Sequence, residues 1–180
     1  VLDHLKPMLS LPIKRTMSRS VLTVLVVAGL ALAPAGAPAK PAAHPNLWAT
    51  VNLCDTPSKP GAVGVRVSIP RERGAPRQWA RIRLQWFDGG KLAWRLVRSS
   101  GGDAGWARFG IGTRVVQGGT TFTFPPPKPG ARIVLRGLVD VEWRVGTRVV
   151  DRARMTTTAG HRDGNDPQRR VSRSSCEITR

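Results

Sequence analysis

Gly61-Ala62-Val63-Gly64-Val65-Arg66-Val67-Ser68-Ile69-Pro70 reads as a strand: Val63, Val65, Val67 and Ile69 fall on one side, Gly64, Arg66 and Ser68 on the other, and Pro70 stops the run. Side chains alternate across an extended chain with a period of two, so this pattern asks for a sheet with one buried face. The preceding stretch behaves alike. Leu47, Ala49, Val51 and Leu53 alternate with Trp48, Thr50 and Asn52, and Asp55 to Gly61, holding two prolines, is expected to end that strand.

The next two segments constrain one another. Ala80, Ile82, Leu84 and Trp86 lie on one side of the first, and Leu92, Trp94 and Leu96 on one side of the second. Only an odd-numbered loop keeps both sets on the same face of a hairpin. Asp88-Gly89-Gly90 supplies one, with Gly90 in the left-handed position, and pairs Trp86 with Leu92, Leu84 with Trp94 and Ile82 with Leu96. The opposite face then carries Arg81, Arg83 and Gln85 against Ala93, Arg95 and Val97. Arg83 directly across from Arg95 is unfavourable by roughly a few tenths of a kcal/mol unless counter-ions, an acidic neighbour or an anionic ligand relieves it. Arg81, Arg83 and Arg95 are therefore the candidate polyanion-binding residues, set against the plainer reading in which long side chains splay into water.

Downstream, Trp106 to Gln117 alternates through Ala107, Phe109, Ile111, Thr113 and Val115, with Gly110 and Gly112 marking an irregular or bulged strand. Thr120 to Phe124 forms a short strand. Pro125-Pro126-Pro127 followed by Lys128-Pro129-Gly130 makes a stiff corner of the kind that carries a chain between sheets. Ile133, Leu135, Val139, Val141 and Trp143 share a face of the longest strand. Gly146 permits a hairpin, and Val149 to Thr157 returns with either parity leaving Asp151 or Arg152 inward. No amphipathic helix of convincing length appears. The fold class expected is all-β: a single antiparallel immunoglobulin-like β-sandwich of about 7–8 strands, preceded by an N-terminal signal helix, with a closed barrel as the competing architecture.

The leader carries the compartment. Lys14, Arg15 and Arg19 precede the apolar run Val21 to Leu32, and Ala33, Ala35, Ala37 and Ala39 offer A-x-A cleavage sites, so residues 17–39 read as a secretory signal peptide. Residues 1–16, upstream of Met17, look unlike a targeting region and read as an upstream extension. Residues 40–45 form a flexible lead-in and 46–180 the sandwich with a tethered tail. Retention of the leader would instead anchor the protein at the cell surface, but Pro34, Gly36 and Pro38 argue for cleavage. Outside the cytoplasm an even pair of cysteines is expected to bond, so Cys54 and Cys176 form a disulfide closing a loop of over 100 residues.

The chain carries a formal charge of +18, which attracts polyanions such as nucleic acid, cell-wall phosphate polymers or anionic lipid headgroups. Abundant Arg, Ala, Gly and Pro beside an absence of Tyr fit a GC-rich bacterial genome equally well.

Four stretches give the chain a family likeness: Leu47-Trp48-Ala49-Thr50-Val51-Asn52-Leu53-Cys54-Asp55-Thr56-Pro57, Phe122-Thr123-Phe124-Pro125-Pro126-Pro127, Arg136-Gly137-Leu138-Val139-Asp140-Val141-Glu142-Trp143, and Thr156-Thr157-Thr158-Ala159-Gly160-His161 with the late Cys176. In these it resembles secreted immunoglobulin-like proteins of actinobacteria, and its final hairpin is similar in layout to a fibronectin type III domain. The resemblance implies a fold and an export route, and brings no activity, cofactor or functional residue with it.

Catalytic motifs are missing: no G-x-S-x-G elbow, P-loop, H-E-x-x-H or S-x-x-K spacing occurs. A secreted hydrolase would need His161 beside a Ser and a carboxylate in a deep cleft. His161, Asp163, Asn165 and Asp166 gather oxygen and nitrogen donors within six residues, but the spacing fails the EF-hand pattern and Arg162 lies among them, so a turn-forming loop is read and no metal or other cofactor. Trp86, Trp94 and Trp143 are in phase with aliphatic neighbours and read as core. Trp48, Trp79 and Trp106 are out of phase or near loops and are the candidates for stacking on a glycan. The leading expectation is an exported, non-enzymatic binding module, its partners anionic envelope polymers, glycans or another exported protein, with membrane contact only through a retained leader.

Overall fold

The structure, a computed structural model, describes residues 44, 46–74, 76–98, 102–111, 114–125 and 127–179. The upstream extension, the signal segment and all of the lead-in except His44 lie outside them. The described residues form nine strands and no helix: β1 (Trp48–Thr56), β2 (Lys59–Ile69), β3 (Arg77–Asp88), β4 (Ala93–Leu96), β5 (Asp103–Ile111), β6 (Val116–Thr123), β7 (Arg132–Val145), β8 (Arg148–Thr156) and β9 (Cys176–Thr179). They make two antiparallel sheets. The smaller runs β1-β2-β6; the larger runs β4-β3-β7-β8, with β5 also on β3 and β9 also on β7.

Period-two alternation places the core where it was expected. Ala49, Val51, Val63, Val65, Val67 and Ile69 project from the smaller sheet onto Ala80, Ile82, Leu84, Leu135, Val139, Val141 and Trp143 of the larger, and all are buried. The larger sheet is built on its two long strands. Along β3, residues 77–83 pair with β5 and 85–88 with β4; along β7, 132–135 pair with β9 and 138–145 with β8. At each handover the backbone stays satisfied. Leu84 donates its N–H to Gly102 O (2.8 Å) and accepts from Val97 N–H (2.9 Å), while Gly137 donates to Thr157 Oγ1 and accepts from Thr157 N–H, both at 3.1 Å.

Three expectations are corrected. Asp55 to Gly61 does not interrupt the pairing for seven residues: β1 runs to Thr56 and β2 resumes at Lys59. Gly61 makes this possible, with φ of 70°, its N–H on Asp55 Oδ1 (2.7 Å) and its carbonyl accepting from Phe124 N–H (3.0 Å). Trp106 to Gln117 is not one irregular strand, because β5 ends at Ile111 in the larger sheet and β6 begins at Val116 in the smaller.

The third correction is the hairpin register. Trp86 pairs with Arg95 and Phe87 with Trp94, since Asp88 closes a longer turn by accepting Lys91 N–H on both its carbonyl and Oδ1, each at 3.2 Å. Leu92 takes φ of 49° within it. The shift is odd, so β4 is turned over: Arg95 shares the side of Trp86, and Trp94 joins Phe87 on the outside. Arg83 therefore faces Leu138 of β7 and Asp103 of β5, not Arg95. Trp143 is fully buried, but Trp86 is exposed at the sandwich end and Trp94 is half-buried against Phe87, so neither completes the core.

The β7–β8 parity is settled by a bulge at Trp143/Arg144 that pairs Trp143 with Asp151. His44 meets this inward acid: it stacks on Trp143 at 4.4 Å, with Nε2 at 3.2 Å from Asp151 Oδ2 and Nδ1 at 2.9 Å from Glu72 Oε1. The Pro-rich corner carries the chain from β6 to β7 and so between the sheets, as its composition predicts. Cys54 and Cys176 are bonded, joining β1 to β9 across the core over a sequence separation of 122. The segment following β8 returns along β1, bridging Val51 to Arg173 and donating Thr158 N–H to Ala49 O (2.7 Å).

Candidate anion-binding face

The outward positions of the larger sheet are polar, and strand register aligns them in rows. Trp106 of β5, Arg81 of β3, Asp140 of β7 and Arg154 of β8 are successive partners; Arg108, Trp79, Glu142 and Arg152 make the adjacent row. Asp140 receives three guanidinium groups: Arg83 at 2.5 Å, Arg154 at 2.6 Å and Arg81 at 3.2 Å. Glu142 receives two, Arg144 at 2.5 Å and Arg152 at 3.2 Å. Five arginines thus converge on two carboxylates, an excess of three positive charges.

The members differ in access. Asp140 and Glu142 are 10% and 11% exposed at the side chain, whereas Arg154 and Arg152 are 64% and 72% exposed and form the reachable part of the cluster. Burial alone would raise the Asp140 carboxyl, but the Arg154 hydrogen bond and the charges of Arg83 and Arg154 outweigh it and hold the group below its ordinary range. Trp79 and Trp106 lie among the cations. The Arg144 guanidinium sits 4.7 Å from the Trp79 ring and 5.2 Å from Trp106, and Arg81 is also 5.2 Å from Trp106. A cavity of about 690 Å³ opens here, lined by Arg81, Trp106, Asp140, Glu142, Arg152 and Arg154 and reaching His44 at the β8 edge. The Nε atoms of Arg81 and Arg83 and Nε1 of Trp79 are buried donors without an acceptor among the described residues.

Of the residues singled out from sequence, Arg81, Arg83, Trp79 and Trp106 come together on this face. Arg95 does not: it sits on β4, paired with Asp88 at 2.7 Å. Trp48 lies in the other sheet, stacked on His161 at 4.2 Å with Arg66 5.0 Å from its ring, so the three candidate tryptophans share no single face. Asp140, Glu142, Arg144, Arg152 and Arg154 were missed. Their signal was the second phase of the same alternation: Asp140, Glu142 and Arg144 alternate with Val139, Val141 and Trp143 in β7, and Arg152 and Arg154 flank Ala153 in β8.

The His161–Asp166 loop is held by a cation of the chain itself. Arg66, nearly buried on β2, donates to Asp163 Oδ2 (3.0 Å), Gln117 Oε1 (2.8 Å) and His161 O (2.5 Å). Its Nε is 3.0 Å from Asp166 Oδ1, an ion pair by distance whose N–H is not aligned as a hydrogen bond. Asp166 also accepts from Asn52 Nδ2 at 2.7 Å. Burial, and then the Arg66 charge, lowers the His161 imidazole below its usual value. Ser172 Oγ accepts the backbone N–H of His161 (2.8 Å) and bonds Thr50 Oγ1 (2.7 Å). Among the described residues no three His, Cys, Asp or Glu side chains are grouped as metal ligands would be. No protein family, curated protein or solved structure matches this chain.

Proposed function

We propose that the chain is an exported, non-enzymatic binding module of immunoglobulin-like construction, akin to the secreted actinobacterial and fibronectin type III-like proteins it resembles. Its contact surface is the outer face of the six-stranded sheet, and its ligand is an anionic polymer or acidic glycan of the cell envelope. The observation that carries this reading is the convergence of five arginines on Asp140 and Glu142. Arg152 and Arg154 are held in place by an acid yet lie open to solvent, an arrangement that meets a ligand's negative charges without first ordering two long side chains. Neutral sugar is served less well, because guanidinium groups already lie over Trp79 and Trp106. The buried Cys54–Cys176 bond fits an oxidising compartment and supports export, with attachment to the membrane as the alternative if the leader is retained.

The test is retention on immobilised heparin and titration with polyphosphate across several salt concentrations, comparing the native chain with Arg152→Ser/Arg154→Ser. Removing two reachable cations should weaken binding about tenfold or more at low salt and flatten the salt slope by about one per arginine. Identical slopes would remove this face from consideration.

A further inference from the structure

A second cavity, of about 580 Å³, opens at the end of the sandwich where the β3–β4 hairpin meets the proline corner and the β7–β9 pair. Its floor is core: Leu135 and Ile178 are 2% and 1% exposed. Its walls are Val97, Phe124, Ile133 and the corner prolines, and its rim holds Trp86 and Phe87, two large aromatics left more than a third exposed. The physical cause is the corner itself. Proline rings at the crossing from β6 to β7 stiffen the chain there, and the hairpin on the other side is turned so that Trp94 and Leu96 point outward instead of filling the gap. The volume lies within the range of about 300–1,000 Å³ typical of pockets that take a small molecule.

One charged residue lines it. Arg132 stands at the rim, 64% exposed, with Glu177 Oε1 3.1 Å from its Nε and itself 45% exposed. A solvent-exposed pair of this kind is weak and exchanges readily for a better acceptor. A mostly apolar cavity with one arginine among its lining residues has the chemistry of a site for a chain-like apolar molecule ending in a carboxylate, which matches the planar fork of arginine. We propose that this cavity binds a long-chain carboxylate, the alkyl chain against Leu135, Ile178 and the corner prolines and the carboxylate at the strand end, where Arg132, the first residue of β7 and in the outward phase with Glu177, turns to meet it. The site is at the hairpin end, built from residues other than those of the arginine face, and does not rest on the polyanion reading.

The probe is hexadecanoate, titrated calorimetrically into the full chain below its critical micelle concentration, with hexadecanol as its uncharged counterpart. Native protein should bind one hexadecanoate saturably. Ile133→Trp, which fills the cavity, should abolish binding; Gly89→Trp, whose new side chain starts from open space at the cavity edge, serves the same purpose if the first variant does not fold. Arg132→Glu should weaken hexadecanoate about tenfold and leave hexadecanol unchanged. Absence of saturable binding, or undiminished binding in a cavity-filled variant that melts as a folded protein, overturns the site. Equal hexadecanoate affinity in Arg132→Glu overturns the assignment of the carboxylate.

Discussion

Breaking the Cys54–Cys176 bond offers the most direct check on how this sandwich is held. The bond encloses a sequence separation of 122. In the chain-entropy description a loop of that length restricts the unfolded state by about 4.9 kcal/mol at 25 °C. The roughly 140 residues of the compact unit Lys40–Arg180 should gain about 0.3 kcal/mol/K of entropy on unfolding. Dividing one by the other, loss of the bond lowers Tm by about 16 °C. The assay is calorimetry on oxidised and reduced protein, with Cys54→Ala/Cys176→Ala as the genetic counterpart. Reduction keeps both sulfur atoms and isolates the constraint; the double variant adds the cost of a small cavity, since both residues are buried. A fall of the expected size should be accompanied by a steeper urea dependence, because the reduced unfolded chain exposes more surface than the closed loop. A reduced protein melting within about 5 °C of the oxidised form would refute the reasoning, showing that the bond does not limit the unfolded chain as calculated.

Arg66→Met keeps an unbranched apolar stem but leaves Asp163, Asp166 and the His161 carbonyl without their common cation. The variant should lose about 3 kcal/mol in urea unfolding and show faster hydrogen exchange across 158–173 than in β3 or β7; uniform exchange would contradict a local latch. For His161, whose imidazole is held below the ordinary value of 6.5, the unfolded chain takes up the proton first on acidification. Stability is therefore lost as pH falls below about 6.5 and levels off once the folded form is protonated too. His161→Phe keeps a ring on Trp48 and removes the titration, so the Tm difference between native and variant should change between pH 8 and pH 5; a flat difference would contradict this assignment.

Alternation made the core legible. Val63, Val65, Val67 and Ile69, and later Val139, Val141 and Trp143, could be assigned to an inner face because a period of two has one apolar phase and the burial of that phase drives folding. Pairing was less legible. The hairpin turned on whether Asp88 opens a three-residue loop or closes a longer one, a choice made by its backbone and side-chain acceptors, not by hydrophobicity. The arginine face was half legible: Arg81 and Arg83 were visible as charges in the polar phase of β3, but their partner Asp140 belongs to a strand 57 positions further on, and only strand order brings the two together. Arg66 was read as an outward residue. It is buried because the segment after β8 folds back over its sheet, and local sequence around β2 carries no sign of that cover.

That returning segment gives the protein a back and a front. On one broad side Thr50, Asn52, Arg66 and Ser68 are sealed beneath the chain's own coil, while on the other the arginine rows remain uncovered. Anything grafted at Gly164, where an added side chain meets no neighbour, should sit on the sealed side. Immobilised through that point, the molecule would present its charged rows toward solution in a uniform orientation; coupled instead through Arg152 or Arg154, it would be blinded.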